Sequence, residues 1–362
     1  MLNLASGSYT HEYVRAQLMK SREINFKYEL LDNNNRTLGT VSAEGFISVN
    51  ADSQIKRVGR FEVIEKDGID YLNSRLRPYM GIKLNGKYIW YPLGIFLLES
   101  PSRYAKGAYI TRSIEAYDLS VILRDDCFTD NYTVPKGTSY TNAIIQIMAD
   151  AGVINYYITP STLVTPSAIE FEIGTSRLTA INQLAKAINY NELYVDATGC
   201  FRVESYIPYE ERKADGSYST DANSVIIANN SESIDLFNVP NVVVRYRENA
   251  EAEYIRAEVV NDNPSSQLST VRRGRHIVDV APVYDIADQA TLTAYTRRLV
   301  AESKLYKTLD IQTALMPHHG VNDCFYIRDK QLGVSGKYIE TAWSMDLKVG
   351  GIMHHTLRKV ET

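Results

Sequence analysis

Two histidine doublets, His318-His319 and His354-His355, are the side chains of this sequence that come nearest to a metal centre. Imidazole nitrogens bind zinc and similar ions, so clustered histidines are the first pattern to weigh. If the second doublet lies in the strand-like run IMHHTLRKV, its neighbours point to opposite faces of a sheet. One imidazole of that pair can then join a given site, and the other cannot. The doublets are read as ordinary surface or turn histidines, and neither a metal nor a cofactor is expected.

Nucleophilic catalysis would need a Gly-x-Ser-x-Gly elbow, a Cys near a His, or Ser-x-x-Lys at a helix start, and no convincing case appears. Ser6, Gly7 and Ser8 lie near His11, but without a strand-to-helix turn and at a chain terminus. Asp125-Asp126, Glu170 and Glu172 are abundant acids of the kind that line solvated faces. A glycosidase pair would have to meet across a cleft, which spacing cannot show. Neither GxxxxGK[ST] nor GxGxxG occurs, so nucleotide loops are not indicated. No catalytic residue is expected, and the chain reads as a non-enzyme. The basic run Arg272, Arg273 and Arg275, followed by His276, suits a solvated loop or a protein interface.

Composition narrows the classes further. At 362 residues the chain exceeds one ordinary core, so two to four domains are expected. Apolar residues at 44% and charged residues at 23% give the globular balance, which excludes long disorder. A net charge of −4 gives no basis for tight nucleic-acid or anionic-membrane binding. No run approaches a membrane span, and the N-terminal stretch lacks an apolar signal core, so a cytosolic product is expected. Cys127, Cys200 and Cys324 form no CxxC pair and read as buried free thiols. There are 26 tyrosines against 9 Phe and 2 Trp, a bias that suits strand surfaces and wet interfaces.

The elements that must position these residues follow from periodicity. Residues 1–22 read as an arm or short helix with Tyr13, Ala16, Gln17 and Lys20 on helical spacing, an arm suited to folding on a partner. From 23 to 117 the pattern is strands broken by DNNN, KDG and NGK turns, which favour antiparallel pairing. Between 118 and 224 the period changes. Ile144, Ile147 and Met148 mark one helix after Ser139, with Gly152 as its stop. Ser176 caps a second, striped by Leu178, Ile181, Leu184, Ala185 and Ile188 and followed by a hairpin at Ala197-Thr198-Gly199. Residues 210–224 read as an exposed linker. Strands resume from 225 to 362, interrupted by one helix from about Ala287 to Tyr306. The fold class is α+β, mainly β.

Arg75, Arg77, Pro78, Tyr79 and Met80, then Trp90, Pro92, Leu93, Gly94 and Phe96, resemble the R-x-R-P-Y-M and W-x-P-L-G-x-F runs of baseplate hub proteins from tailed phages, prophage-like elements and tailocins. The helix-hairpin SRLTAINQLAKAINYNELYVDATGCFRVESY also looks similar, as does the order NVPNVVVRYRE, helix, Met316-Pro317 and Gly320-Val321-Asn322-Asp323. The resemblance implies two tail-tube-like β-barrel domains, 23–117 and 225–362, separated by the smaller α+β domain. It implies a homotrimer whose two barrels per chain present pseudo-sixfold symmetry to a hexameric tail tube and threefold symmetry to a spike or tail-tip protein. A tape-measure protein would then pass through its channel, without specific nucleic-acid recognition or membrane insertion. The expected location is the virion baseplate or a tailocin particle, assembled in the bacterial host cytoplasm. Hubs that cut cell wall carry a further hydrolase domain, and the stop at Thr362 favours a purely structural hub. A receptor- or carbohydrate-binding tail protein is the alternative, with a cell-wall hydrolase behind it.

Overall fold

A computed structural model describes residues 1–66, 69–99, 102–107, 109–221, 224–249 and 251–360. The expected KDG turn falls at Asp67 and Gly68, outside the described residues. Strand accounts for 42% of the chain and helix for 15%, so the fold is mainly β as the sequence implies.

The first region holds helix α1 (His11–Leu18) and strands β1 (Ile24–Leu31), β2 (Thr37–Val41), β3 (Ala43–Asn50), β4 (Arg57–Ile64), β5 (Arg75–Leu84), β6 (Lys87–Pro92), β7 (Phe96–Leu98), β8 (Ser102–Lys106) and β9 (Tyr109–Asp118). The NGK turn forms as expected: Asn85 and Gly86 both have positive φ, which lets β5 and β6 close tightly. The N-terminal segment is a short helix, but it packs on its own chain. Leu4, Val14 and Leu18 are fully buried in the β core, while Tyr13 is exposed. The Leu2 amide donates to the His318 carbonyl at 2.8 Å, and the Met1 ammonium meets Asp323 at 2.9 Å. The burying pair is therefore Val14 and Leu18, one helical turn apart, rather than the stripe read from Tyr13 to Lys20.

The middle region contains α2 (Val121–Asp125), β10 (Tyr132–Val134), α3 (Tyr140–Asp150), β11 (Tyr156–Ile158), β12 (Ile169–Phe171), α4 (Arg177–Ala187), β13 (Tyr194–Val195) and β14 (Phe201–Val203). Both predicted helices form where their caps lie. Ser139 Oγ accepts from the Asn142 amide and Ser176 Oγ from the Thr179 amide. Ile144, Ile147, Met148, Leu178, Ile181, Leu184 and Ala185 are fully buried in one core between α3 and α4. The predicted hairpin pairs β13 with β14 around Asp196–Cys200.

The last region contains β15 (Gly216–Ser219), β16 (Ile226–Ile234), β17 (Val242–Tyr246), β18 (Arg256–Val260), α5 (Thr270–Arg273), β19 (Val278–Pro282), α6 (Gln289–Ser303), β20 (Lys307–Ala314), β21 (Cys324–Asp329), β22 (Val334–Asp346) and β23 (Ile352–Lys359). Two expectations need correction here. The stretch read as a linker contributes β15, which pairs in parallel with β21 and buries Tyr218. The run of strands from β17 to β19 forms a separate sheet, order β18-β17-β19, against which α6 packs. The remaining strands β16 and β20 to β23 join the first region in one 15-stranded sheet, through antiparallel pairing of β22 with β3. Cys324 is buried as expected, but Cys127 and Cys200 are only half-buried; all three are free thiols. Replacing Ser176 by Ala should cost about 1 kcal/mol through loss of the α4 cap. Urea unfolding would show this as a lower midpoint at unchanged slope.

Candidate functional site

Seven strands of the large sheet, in the order β16-β20-β23-β22-β3-β4-β9, and β8, which branches from β9 beside β7 where the sheet continues to β5, β1 and β2, make a path of eight strands paired antiparallel throughout. Alternation gives this sheet two unlike faces. Ile47, Val49, Phe61, Val63, Ile114, Trp343, Met345, Met353 and Leu357 point into the core. The opposite face carries Glu44, Phe46, Arg60, Glu62, Glu115, Asp310, Asp346, His354 and Arg358, and it is polar with more carboxylates than cations. Its charges are partly paired across strands, Arg60 with Glu115 at 2.7 Å and Lys106 with Glu62. Among the described residues, β8 pairs only with β9 and β16 only with β20, so both ends of the path are open edges. The edges are apolar as well as unpaired. Tyr104 and Tyr109 are about half exposed at one end, and Ile227 and Ile234 are exposed at the other.

The residues behind the family resemblance hold the fold rather than a reactive site. Arg77 reaches Glu29 at 2.7 Å and the Tyr79 hydroxyl donates to the same carboxylate at 3.1 Å, tying β5 to β1. Arg75 donates to Asn35 at 2.6 Å, and Pro78, buried, offers its carbonyl to the Leu93 amide at 3.0 Å. Lys27 Nζ lies 4.2 Å from the Tyr79 ring centre and 5.3 Å from that of Trp90. Gly81 leaves room for Trp90, whose ring would lie 2.7 Å from an added Cβ. Gly94 has φ +140°, and an added Cβ there would meet Arg57 Cδ and the Phe96 ring at 2.8 Å. Arg57 is fully buried and donates to the Leu93 carbonyl at 3.0 Å, so the P-L-G-x-F run closes over it.

Three of the four doublet histidines are buried, which corrects the surface reading. His355 lies on the core side of β23 and His354 is exposed on the other, so the doublet divides as strand alternation requires. His319 Nδ1 sits 2.7 Å from one oxygen of Glu340, and His355 Nδ1 sits 2.5 Å from the other. The distal nitrogens are also engaged, His319 Nε2 with the Tyr218 hydroxyl and His355 Nε2 with Thr313 Oγ1, each at 2.7 Å. Glu340 reaches this position because the β22–β23 register shifts between Glu340 and Ala342, a bulge that turns its side chain inward. Burial opposes ionisation of Glu340, but the two imidazoles outweigh it and hold the carboxyl below its ordinary range. Burial lowers the His355 pKa and pushes that of His318 well down; among the described residues His318 Nδ1 has no hydrogen-bond partner.

Arg272, Arg273 and Arg275 do not act as one cluster. Arg273 donates to the carbonyls of Val239, at 3.1 Å, and of Leu236. Arg275 donates to the Phe237 carbonyl and lies 5.1 Å from the centre of that ring. Both staple the loop before β17, while Arg272 is exposed at the end of α5. His11 Nδ1 accepts from the Leu4 amide at 3.1 Å, so it serves the N-terminal turn rather than Ser6 or Ser8. Asp126 is paired with Arg177 at 2.7 Å, and Glu170 and Glu172 are exposed.

A cleft of about 710 Å³ lies where the three regions meet, lined in part by Lys56, Tyr157, Tyr194, Tyr206 and Arg298. The Tyr157 and Tyr206 rings are covered by the guanidinium groups of Arg202 and Arg298. Those faces are therefore not open platforms for a sugar.

No protein-family model matches the chain, and no curated protein matches it. Solved structures do. The fold defines the class first: it is the fold of phage and prophage tail proteins. A tail protein from Neisseria meningitidis MC58 superposes with a TM-score of 0.64 at 13% identity, covering 92% of this chain and 97% of that one. The 43 kDa tail protein of prophage MuSo2 from Shewanella oneidensis gives 0.64 at 12% identity, covering 92% and 98%. Prophage tail protein gp18 from Listeria monocytogenes EGD-e gives 0.57 at 14% identity, covering 93% and 95%.

Two predictions test the motif residues. Gly94→Ala should destabilise the fold by about 2 kcal/mol or more, through a strained φ and a clash with buried Arg57, read from the urea midpoint. Partial burial works against the Glu29 charge, but Lys27, Arg77 and Tyr79 together lower its pKa to about 2. A carboxylate lowered on folding contributes stability above its unfolded pKa and loses it as pH falls toward its folded one. Glu29→Gln should therefore flatten the acid limb of stability between about pH 4.5 and pH 2.

Proposed function

We propose that this chain is a non-enzymatic structural component of a phage tail or tail-like particle, and specifically a trimeric baseplate hub. The observation that carries this reading is the antiparallel path of eight strands with an open edge at each end. Seven antiparallel pairings make β16 and β8 run in opposite directions. Copies related by rotation about a ring axis would therefore join β8 of one to β16 of the next antiparallel, with the same geometry as the internal β22–β3 joint. Three such copies close a ring of six quasi-equivalent joints, three within chains and three between them. That is the symmetry a hexameric tube and a trimeric spike would require of an adapter.

The charges and the faces agree with that arrangement. The β8 segment SRYAK carries two cations, while β16 carries Glu232 and is followed by Asp235. Edge strands with exposed apolar residues are templates for pairing with another chain. The polar face with its carboxylate excess would line the channel, where a non-basic wall lets nucleic acid or a tape-measure protein pass without being held. Residues 23–117 and 225–362 would supply the two tube-like halves, and the middle region and the β17–β19 unit would lie outside them. Arg272, exposed at the end of α5, remains a candidate contact to a neighbouring tail protein. Among the described residues no helix is long and apolar enough to cross a membrane.

Light scattering on the purified 40.9 kDa chain should give three times the monomer mass, alone or with its tube and spike partners, and images should show a ring. Tyr104→Glu, placing a charge on the β8 edge, should shift the chain toward monomer with unchanged circular dichroism, lowering the melting temperature only by what assembly contributes. A stable monomer in the presence of those partners would overturn the hub and direct attention to glycan binding.

A further inference from the structure

We propose that His319, His355 and Glu340 form a binding site for one zinc ion or a similar first-row divalent cation. Their donor atoms lie within 4.8 Å of one another, and all three side chains are buried. Two imidazole nitrogens with one carboxylate make a borderline donor set, suited to zinc rather than to magnesium or calcium.

The surroundings of the rings favour a cation between them. Thr313 Oγ1 lies 2.9 Å from the Ala314 carbonyl, which can only accept, and 2.7 Å from His355 Nε2. A hydroxyl has one proton, so it goes either to His355 Nε2, leaving an N–H on Nδ1, or to the carbonyl, with His355 Nε2 then donating to the hydroxyl. In the second arrangement the Nδ1 atom facing Glu340 carries a lone pair, which a cation beside the carboxylate would take up. Both oxygens of this buried carboxylate are met by imidazoles rather than by Lys or Arg. A metal held between the rings would add a positive charge beside it without a buried imidazolium.

The outer contacts fit the same occupant. Metal-bound imidazoles usually donate their other N–H to a fixed partner, and Thr313 and Tyr218 stand at those positions. In the metal-bound form each Nδ1 lone pair would go to the metal and each ring would carry its proton on Nε2, donating to the hydroxyl. Metal–nitrogen bonds of about 2.0–2.1 Å would need the rings to move about half an ångström from the carboxylate. Tyr218 comes from β15, Thr313 from β20, Glu340 from β22 and His355 from β23, with His319 in the loop between β20 and β21. The ion would thus join β22, β23 and the β20–β21 loop from within, with β15 and β20 holding the outer hydrogen bonds.

Because the site is buried, the full chain should be refolded from guanidinium with zinc chloride, washed with chelator and assayed by mass spectrometry for metal. Wild type and His354→Ala, which alters only the exposed neighbour, should retain one zinc per chain and melt at a higher temperature than without zinc. Glu340→Gln should bind at least roughly tenfold more weakly. Zinc absent from the refolded wild type, retained equally by Glu340→Gln, or lost in His354→Ala would overturn the proposal. If Glu340→Gln does not fold, cobalt(II) loading of the wild type decides: visible bands of a low-coordinate histidine-ligated ion support the site, and their absence overturns it. None of these readouts depends on oligomeric state, so the outcome is separable from the hub reading.

Discussion

The antiparallel pairing of β22 with β3 is the constraint on which the rest of the structure depends. It joins residues 342–346 to residues 46–50 and makes one sheet from two stretches that are almost 300 residues apart in the chain. Strands β4 to β9, the middle region, the β17–β19 unit with α6, and β15, β16, β20 and β21 all lie in the chain between strands that must meet. Closing so long a loop is entropically costly, but the cost grows only slowly with length. The main core gathers residues from Leu4 to Leu357, spanning both halves of the sheet and the N-terminal helix. The helix, the Met1 ammonium with Asp323, and β15 on β21 all add to that seam from outside the ladder.

The same constraint explains why the sheet has two chemistries. Every strand of the eight-strand path except β8, which is exposed along its length, places apolar side chains on the core side, and the pairing keeps them in register across the seam. Trp343 and Met345 stand opposite Val49 and Ile47 in register, and the indole N–H donates to the Gly320 carbonyl at 2.7 Å. The outer face is left polar, with Ser344 against Ser48 and Asp346 against Phe46. A local fault in the ladder, the bulge at Thr341, is what brings Glu340 into the core and creates the histidine network. An inward carboxylate in a central strand is tolerated because its oxygens are met by two imidazoles.

Elements with strong local signals are legible without any tertiary context. Ser139 and Ser176 cap their helices because the hydroxyl satisfies a free amide regardless of tertiary context, and the stripe from Leu178 to Ala185 can face only one way. Asn85-Gly86 makes a turn because both residues tolerate positive φ. The split of His354 from His355 follows from the two-residue period of a strand.

Pairings between segments distant in the chain have no local signal and emerge with the folded sheet. Nothing local in GSYS marks it as a strand, and its pairing with β21 supplies the hydrogen bonds that make it one. The stretch from β17 to β19 reads like any other set of strands, yet it forms its own sheet because α6 covers its inner side. Glu340, the centre of the buried network, carried no signal at all, since alternation from Ser344 and Ala342 would place it outside. A bulge reverses that alternation, and its position depends on how β22 must fit β23 and β3 at once. Periodicity reports which residues a segment would bury, whereas the ladder that chooses its neighbours is a property of the whole chain.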